Sequence, residues 1–446
     1  MRKEFIHKNL LNPYLEIGRI IILEVIVLTD RQTNYVLDYV FPQKAKYIAE
    51  ARDVFVNRKT SIVEVYENAM VLPAVQFNDY DVSHGRGGVV DSDGNYVKIS
   101  KTKARVDGKY DVDEYETVDE KVVFCGFYYK AWGHFLTEVV SRLWYALKND
   151  ATIDSYVFIV EKDAERSFNG NYLEFLKMLG IADKVRIINK PTKFSTVVVP
   201  EEGLVYDEYY TDEFVKMYEF INNKGLSQYN GPKYEKVFFS KRKCEISIYS
   251  NLNEKFVDKF FEKNGYKVFY PEKLSLVDTI GIIQNAKYLC GISSSLVHNQ
   301  LFGHSNQTTI CIEKQAFYNP YQVMVANITK CKTIFIDACR SVFAVNAGGP
   351  FIFDYTDFLD KFVKDYGLIP GKPMSEWKFK RVFKKYMVYY FFFNYELPPD
   401  YMYQKYIVDM TREAYNDTVK TKKAFQMSFS NRVIVKLKKL RLKYFG

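Results

Sequence analysis

The chain of 446 residues is long enough for two or three domains, each with its own hydrophobic core. Its hydrophobic content of 48% and charged content of 26% lie in the globular range, which excludes disordered, collagen-like and low-complexity classes. The formal net charge of +9 suits nucleic acid, a membrane surface or neither, so its distribution along the chain matters more than its size.

The first 120 residues are predicted to be rich in strands and irregular. Short apolar runs such as NAMVLPAVQF (68–77) are broken by Asn, Asp and Gly, and Asp-Gly pairs at 93–94 and 107–108 signal hairpin turns. This pattern favours short strands over long helices.

The cellular compartment is predicted from the first residues and from the cysteines. The apolar run IIILEVIVL near the start is interrupted by Glu24 and is followed by no small-residue cleavage site, so we expect neither a signal peptide nor a spanning helix. The six cysteines form no C-x-x-C pair and no zinc-finger spacing with a histidine. They are predicted to be reduced, mostly buried thiols in a cytosolic compartment.

From residue 121 strands and helices alternate, which predicts parallel sheets with crossover helices. The first unit is read as strand 122–127, helix 133–148, strand 155–160, helix 171–180 and strands 184–189 and 195–200. A stretch at 200–234 ends in a predicted linker. The second unit is read as strand 236–240, helix 251–264, strand 266–271, helix 275–286, strand 287–292, helix 295–302 and strands 308–313 and 333–338. Ser275 and Asp278 are predicted to form a capping box.

Two stretches of the second unit suggest an anion site. GISSSLVHNQLFG (291–303) follows a buried-looking strand and opens a helix, where free backbone amides and the helix dipole favour a phosphate. SKRKCE (240–245) adds three cations at the carboxyl end of a parallel strand, the edge at which open α/β sheets bind ligands. The alternatives are a Ser-rich helix cap and a solvated basic turn.

His134 and Glu138 raise a separate question in the first unit. They are four residues apart on a predicted helix, so both side chains fall on one face and could meet a cleft together. Spacing alone favours the alternative, in which this is an ordinary helix start and His134 makes its hydrogen bonds to neighbouring residues. His298 and His304 have no partnering carboxylate pattern and are not interpreted as metal ligands.

Three stretches taken together resemble glycosyltransferase family 61. They are GHFLTE (133–138) for the family's H-x-x-x-D/E helix start, SKRK (240–243) with Asn253 and Glu254 for its S-R-R … N-E segment, and GISSSLVHNQLF (291–302) for its G-x-H-G-A-G-L-T-N-x-L-F loop. The resemblance covers about 121–315. Ser293 stands where the family has a histidine, and Ser294 and Leu296 stand where it has glycines, so a different backbone approach to the ligand is expected.

The resemblance implies an α/β protein of GT-B architecture, with two Rossmann-like domains facing a cleft and a basic, aromatic C-terminal helical extension. The expected parts are 1–120 and 121–232 for the acceptor half, 233–350 for the nucleotide-sugar half and 351–446 for the extension. It also implies inversion at the anomeric carbon, a nucleotide-sugar donor expected to be a UDP-sugar, and no metal or other cofactor. Glu138 and His134 would be catalytic, with the choice of base left open. The residues implied for the donor are Ser240, Lys241, Arg242, Ser293, Ser294, Ser295, His298 and Asn299.

The C-terminal region suggests contact with a membrane surface. Residues 421–446 contain eight Lys or Arg and no Asp or Glu, and Val433, Leu437, Leu440 and Tyr444 recur at helical spacing beside a row of cations. EWKFKRVFKKYMVYYFFFNYELPP (376–399) interleaves cations with aromatic residues, as segments at lipid headgroups do. The alternative for 376–399 is a C-terminal helix that packs back on the N-terminal half.

The sequence and the resemblance together predict a peripheral enzyme on the inner face of a bacterial plasma membrane. It would transfer a hexosyl or pentosyl group to a glycan or lipid-linked glycan in surface or capsular polysaccharide biosynthesis. One alternative is a non-catalytic nucleotide- or glycan-binding protein on the same fold, which would bind a donor without turnover. Another is a nucleic-acid-binding protein, but no nucleic-acid-binding module is recognisable, so no nucleic acid is expected as partner.

Overall fold

Two large β-sheets organise the chain in the computed structural model, which describes residues 34–54, 56–58, 61–75, 85–102, 105–160, 167–206, 208–244, 250–314, 319–340 and 349–395. The strands are β1 (Tyr35–Tyr39), β2 (Val56–Arg58), β3 (Val63–Glu67), β4 (Met70–Val75), β5 (Arg86–Val90), β6 (Glu116–Phe127), β7 (Ser155–Ile159), β8 (Val185–Ile188), β9 (Thr192–Pro200), β10 (Leu204–Val205), β11 (Tyr209–Thr211), β12 (Lys236–Phe239), β13 (Asn251–Leu252), β14 (Lys267–Phe269), β15 (Tyr288–Ile292), β16 (Thr308–Glu313), β17 (Lys332–Asp337) and β18 (Phe351–Ile352). The α-helices are α1 (Pro42–Val54), α2 (Trp132–Thr137), α3 (Gly170–Leu179), α4 (Asp212–Gln228), α5 (Glu254–Lys263), α6 (Leu276–Gln284), α7 (Ser295–His298), α8 (Pro320–Thr329), α9 (Asp357–Asp365) and α10 (Glu376–Tyr395), with 3₁₀ turns at Lys98–Ser100, Val139–Lys148, Ala182–Lys184, Pro271–Lys273 and Asn299–Phe302.

The first sheet is mixed. Its order is β5-β4-β9-β6-β7-β8, with β3 also paired to β9. The pairs β6–β7, β7–β8 and β6–β9 are parallel, as the alternation after residue 120 predicted. The strands β3, β4 and β5 join antiparallel, because they come from the hairpin-rich segment before it.

The second sheet is parallel throughout, in the order β1-β17-β16-β15-β12-β14. Parallel strands need long crossovers, and the helices between 254 and 329 supply them. The carboxyl ends of β12, β15 and β16 therefore lie side by side. A mixed α/β fold with parallel sheets is confirmed, while the GT-B arrangement and the domain boundaries stay predictions.

The N-terminal strand β1 belongs to the second sheet, which local patterning could not foresee. It pairs with β17, and the hydroxyl of Tyr35 donates to the carbonyl of Val323 at 2.8 Å. A strand's partner depends on the packing of distant segments, so periodicity alone does not identify it. Helix α1 follows β1, where the sequence predicted mainly strands.

Two predicted helices differ from the structure. The segment predicted as helix 133–148 is the short α2 followed by a 3₁₀ turn, in which the carbonyl of Ser141 accepts from the backbone N–H of Gly203 at 2.7 Å. The segment predicted as helix 251–264 begins with β13, and α5 starts only after Asn253, which adopts φ of 64°. The predicted cap is confirmed, since Ser275 Oγ accepts from the N–H of Asp278 at 3.0 Å.

The C-terminal helix α10 has a buried face and an exposed end. Phe379, Phe383, Tyr386 and Met387 are buried, whereas Trp377 is 67% exposed. In the part of the chain that the structure describes, no helix is long and apolar enough to cross a bilayer. The predicted basic helix at 428–446 lies outside the described residues.

Candidate active site

His134 and Glu138 lie at the start of the 132–148 helical segment, directly after the long parallel strand β6. His134 Nδ1 is 2.6 Å from Glu138 Oε1, so the predicted pairing on one helical face is confirmed as a direct contact. The His134 side chain is 38% exposed and that of Glu138 is 13% exposed. The pair is thus anchored in the protein at its carboxylate and open at its imidazole.

Two further residues complete this cluster, and neither was predicted. Arg105 Nε donates to Glu138 Oε2 at 3.1 Å, and the hydroxyl of Tyr321 donates to Glu138 Oε1. Arg105 lies in an irregular segment before β6, and Tyr321 is the second residue of α8 in the other half of the chain. No local pattern marks either residue, because their partner is brought to them only by the fold.

The ionisation of Glu138 is controlled by these neighbours. Burial raises the pKa of Glu138, but the hydrogen bond and charge of His134, the hydroxyl of Tyr321 and the charge of Arg105 outweigh it and hold that pKa below its ordinary value. Glu138 is therefore a carboxylate at neutral pH. It accepts hydrogen bonds at both oxygens and presents no proton of its own.

The carboxylate of Glu138 also decides which nitrogen of His134 carries the proton. Arg105 Nη2 lies 3.2 Å from His134 Nδ1, but a guanidinium only donates, and the carboxylate at 2.6 Å is the closer partner. We therefore assign the proton of neutral His134 to Nδ1, donated to Glu138. Within the described part of the chain nothing hydrogen-bonds Nε2, which keeps its lone pair.

Aromatic rings surround this imidazole. Tyr129 meets His134 edge to face at a centroid distance of 5.3 Å, and the guanidinium of Arg105 lies 4.8 Å from the Tyr129 ring centre. The ring of Tyr321 lies 6.2 Å from that of His134 and is tilted against the ring of Tyr206 at a centroid distance of 4.5 Å. Rings of this kind restrict the rotamers of the imidazole, which stays partly exposed to solvent.

The Ser-rich loop of the second sheet meets the same helix. Trp132 Nε1 donates to Asn299 Oδ1 at 2.8 Å. A Cβ on Gly133 would lie only 3.0 Å from Ser295 Cβ and from His298 Nδ1, so glycine permits the close approach of α2 and α7. The structure thus brings the first and third of the predicted motifs together.

His298 is the buried member of this contact. It is 6% exposed, its Nε2 lies 3.4 Å from Asn319 Nδ2, and its Nδ1 has no hydrogen-bond partner among the described residues. Burial lowers the pKa of His298 to about 4, with the charges of His134 and Lys241 acting in the same direction. His298 is therefore neutral at physiological pH.

The second predicted motif lies at the carboxyl ends of the parallel strands. The N–H of Lys241 donates to Glu254 Oε1 at 2.9 Å, which joins the SKRK and Asn-Glu parts of the motif. Burial raises the pKa of Glu254 to about 7. Arg242 makes no hydrogen bond to Glu254. Its Nε donates to Asp258 at 2.6 Å, and its Nη2 donates to the Tyr270 hydroxyl at 2.7 Å.

The serines predicted for the donor continue the neighbouring strand. The N–H of Ser293 donates to the carbonyl of Ile312 at 2.8 Å, so the ladder between β15 and β16 extends to the strand ends. Ser294 Oγ donates to the carbonyl of Ile292 at 3.1 Å, and Ser240 is buried beside them at the end of β12. The contacts assigned to the donor remain predictions.

Residues 132–311 match the family model described as glycosyltransferase 61. This part of the chain is similar to glycosyltransferase family 61. The resemblance drawn from the three motifs is thereby confirmed, and all three lie within the matched range. No curated protein gives a significant match to the chain.

The match supports a glycosyltransferase, and the family implies a nucleotide-sugar donor and a glycan acceptor. His134, Glu138 and the Ser-rich loop lie inside the family match. Arg105 and Tyr321 lie outside it, although both contact Glu138. The cluster around Glu138 therefore combines family residues with residues from the flanking parts of this chain.

Proposed function

We propose that the protein is an inverting glycosyltransferase that moves a hexosyl or pentosyl group from a UDP-sugar to a hydroxyl of a lipid-linked glycan, in surface or capsular polysaccharide biosynthesis. One observation carries the catalytic part of this proposal. His134 Nδ1 contacts the Glu138 carboxylate at 2.6 Å, which leaves Nε2 as an accessible base. A histidine oriented by a carboxylate is the usual arrangement for removing a proton from a hydroxyl.

In the proposed reaction His134 Nε2 removes the proton of the acceptor hydroxyl. The acceptor oxygen forms a bond to the anomeric carbon from the side opposite the diphosphate. The bond between that carbon and the diphosphate oxygen breaks, and its electron pair leaves with the nucleoside diphosphate. Glu138 stabilises the imidazolium that forms, and general base catalysis of this kind contributes about 10²- to 10⁴-fold.

The donor is proposed to lie at the carboxyl ends of β12 and β15. Lys241, with Ser293 to Ser295, would meet the diphosphate there without a metal ion, because cations, hydroxyls and backbone amides together offset its charge. Arg242 is a weaker candidate for the diphosphate, since Asp258 already balances its charge.

The location is proposed to be the cytoplasmic face of the plasma membrane, with residues 428–446 as the contact. Eight cations without a carboxylate between 421 and 446 favour anionic lipid. Flotation with phosphatidylglycerol vesicles tests this: the full chain should float and a chain lacking 428–446 should not. Equal flotation of both would remove the tail as the anchor.

The enzymatic proposal is tested in two steps with purified full-length protein. A thermal-shift series with UDP, GDP, CDP and ADP, without added metal, should show one nucleotide that raises the melting temperature, because binding to the folded state stabilises it. Release of nucleoside diphosphate from the corresponding nucleotide sugar should then occur with wild type and be lost in His134→Asn, which keeps a polar group near Nδ1.

The two steps separate the alternatives. A nucleotide-dependent shift without any release from wild type, with a panel of glycan acceptors present, would favour the non-catalytic binding protein. No shift with any nucleotide would overturn the donor site itself. Release by His134→Asn at the wild-type rate would exclude His134 as the base while leaving the transferase activity in place.

A further inference from the structure

Lys314 is a buried cation for which the described residues offer no hydrogen bond and no ion pair. It directly follows the last residue of β16 and is 8% exposed. Among the described residues no side chain makes a hydrogen bond or an ion pair with its ammonium group, and the contact found for it is with the ring of Phe351, whose centre lies 4.6 Å from Nζ. Burying an ammonium group without a carboxylate is costly, so its position calls for an explanation.

Another buried lysine at the same sheet edge shows the ordinary arrangement. Lys44, on α1, pairs with Asp337 at the end of β17 and lies 4.0 Å from Glu313. Glu313 is thus close to the charge of Lys44, and its Oε1 accepts from Cys311 Sγ at 3.2 Å. Among the residues that the structure describes, Lys314 pairs with no carboxylate as Lys44 does with Asp337.

The neighbouring strands bring more positive charge to the carboxyl end of β16, where Lys314 lies. β12, β15 and β16 are adjacent and parallel, so Lys241, Ser293 and Lys314 follow the ends of three consecutive strands about 5 Å apart. Burial, and after it the charge of Lys241, lower the pKa of Lys314 to about 8. The two ammonium groups therefore act on each other across the strand ends.

The carboxylates near Lys314 offset this charge only in part. Glu254 accepts from the N–H of Lys241 and from Asn251 Nδ2 at 3.0 Å, and burial raises its pKa to about 7. At neutral pH Glu254 is thus partly protonated. Two lysines whose charges act on each other at the strand ends, with a partly protonated carboxyl group near them, attract an anion of more than one charge.

We propose that Lys314 binds the diphosphate of the nucleotide-sugar donor, together with Lys241, between the ends of β12 and β16. This inference rests on the proposed function and adds to it a residue that lies beyond the family match, which ends at residue 311. Lys314 would meet the negative charge that grows on the leaving diphosphate as the bond to the sugar breaks. Its ammonium group would act as a fixed cation already free of water.

The test uses full-length protein with inorganic pyrophosphate and UDP as probes, at neutral pH and without metal. Lys314→Met removes the charge and keeps the length and apolar stem of the side chain. It should weaken the binding of both probes by about tenfold or more, because a hydrogen bond to a charged group is lost. Lys314→Arg should retain most of the affinity.

The melting temperature of the free protein distinguishes binding from a structural role. Removing an uncompensated buried charge should leave that temperature unchanged or raise it, while the shift caused by pyrophosphate falls. The control is Lys236→Met, which removes a lysine that also lies over aromatic rings, Tyr266 and Tyr288, but at the amino end of β12. This control should bind both probes as wild type does.

Each outcome is decisive. Wild-type affinity of Lys314→Met for UDP and pyrophosphate would overturn the role of Lys314 and leave the proposed function standing. A lower melting temperature of free Lys314→Met with unchanged probe-induced shifts would also overturn it, in favour of a structural lysine. Absence of binding of both probes, and of GDP, CDP and ADP, by wild type would overturn the donor site and this inference together.

Discussion

Lowering the pH should destabilise the fold through His298. Its pKa falls from an ordinary 6.5 in the unfolded chain to about 4 in the folded protein, because the ring is buried between α7 and α2. Between these values the unfolded chain binds a proton that the folded protein does not. The contribution of neutral His298 to the free energy of unfolding is therefore complete at pH values above the pKa of the unfolded chain. It is lost as the pH falls toward the pKa of the folded protein.

The size of this effect follows from the two pKa values. The full difference, from 6.5 to about 4, corresponds to about 3 kcal/mol of unfolding free energy. By about pH 5 roughly 2 kcal/mol of it is already lost. Urea unfolding followed by tryptophan fluorescence at several pH values from neutral to about 4.5 measures the loss, and His298→Gln should lack this component of the pH dependence.

The comparison with a second histidine makes the result specific. The pKa of His304 is also lowered by burial, but His304 is only half-buried, so His304→Gln should change the pH dependence less than His298→Gln does. Stability curves of wild type and His298→Gln that run parallel over this pH range would refute the reasoning. They would mean that His298 is protonated or solvated in the folded protein.

Three substitutions test the contacts of the candidate active site. Glu138→Gln keeps the shape but loses the charge that supports His134, so turnover should fall by about a thousandfold or more with UDP affinity unchanged; wild-type initial rates would remove Glu138 from the mechanism. Tyr321→Phe removes a hydroxyl that lowers the pKa of Glu138, so an NMR titration of the Glu138 carboxyl should give a higher pKa than in wild type, and an unchanged pKa would contradict the contact. Gly133→Ala places a Cβ 3.0 Å from Ser295 and His298, and overpacking of about 1–3 kcal/mol should exceed the gain of roughly 1 kcal/mol from alanine in a helix, so urea unfolding should show a less stable protein.

The pair of His134 and Glu138 was predictable, and its surroundings were not. Four-residue spacing on a helix is a local property that already predicts a shared face. Arg105 and Tyr321 come from an irregular segment and from a helix of the other sheet, and only packing brings them to Glu138. The role of Gly133 was not predictable either, because its lack of a side chain matters only where His298 packs against it.

Local chemistry in the sequence determined the alternation of strands and helices after residue 120, the cap at Ser275 and the family model that residues 132–311 match. These features depend on neighbours within a few residues, so they can be read along the chain. Tertiary structure alone decided that β1 pairs with β17, that Arg242 is bound to Asp258, and that Lys314 is buried over the ring of Phe351. Such features depend on burial and on contacts between residues far apart in the chain, and burial sets the cost of a charge only once the fold has excluded water.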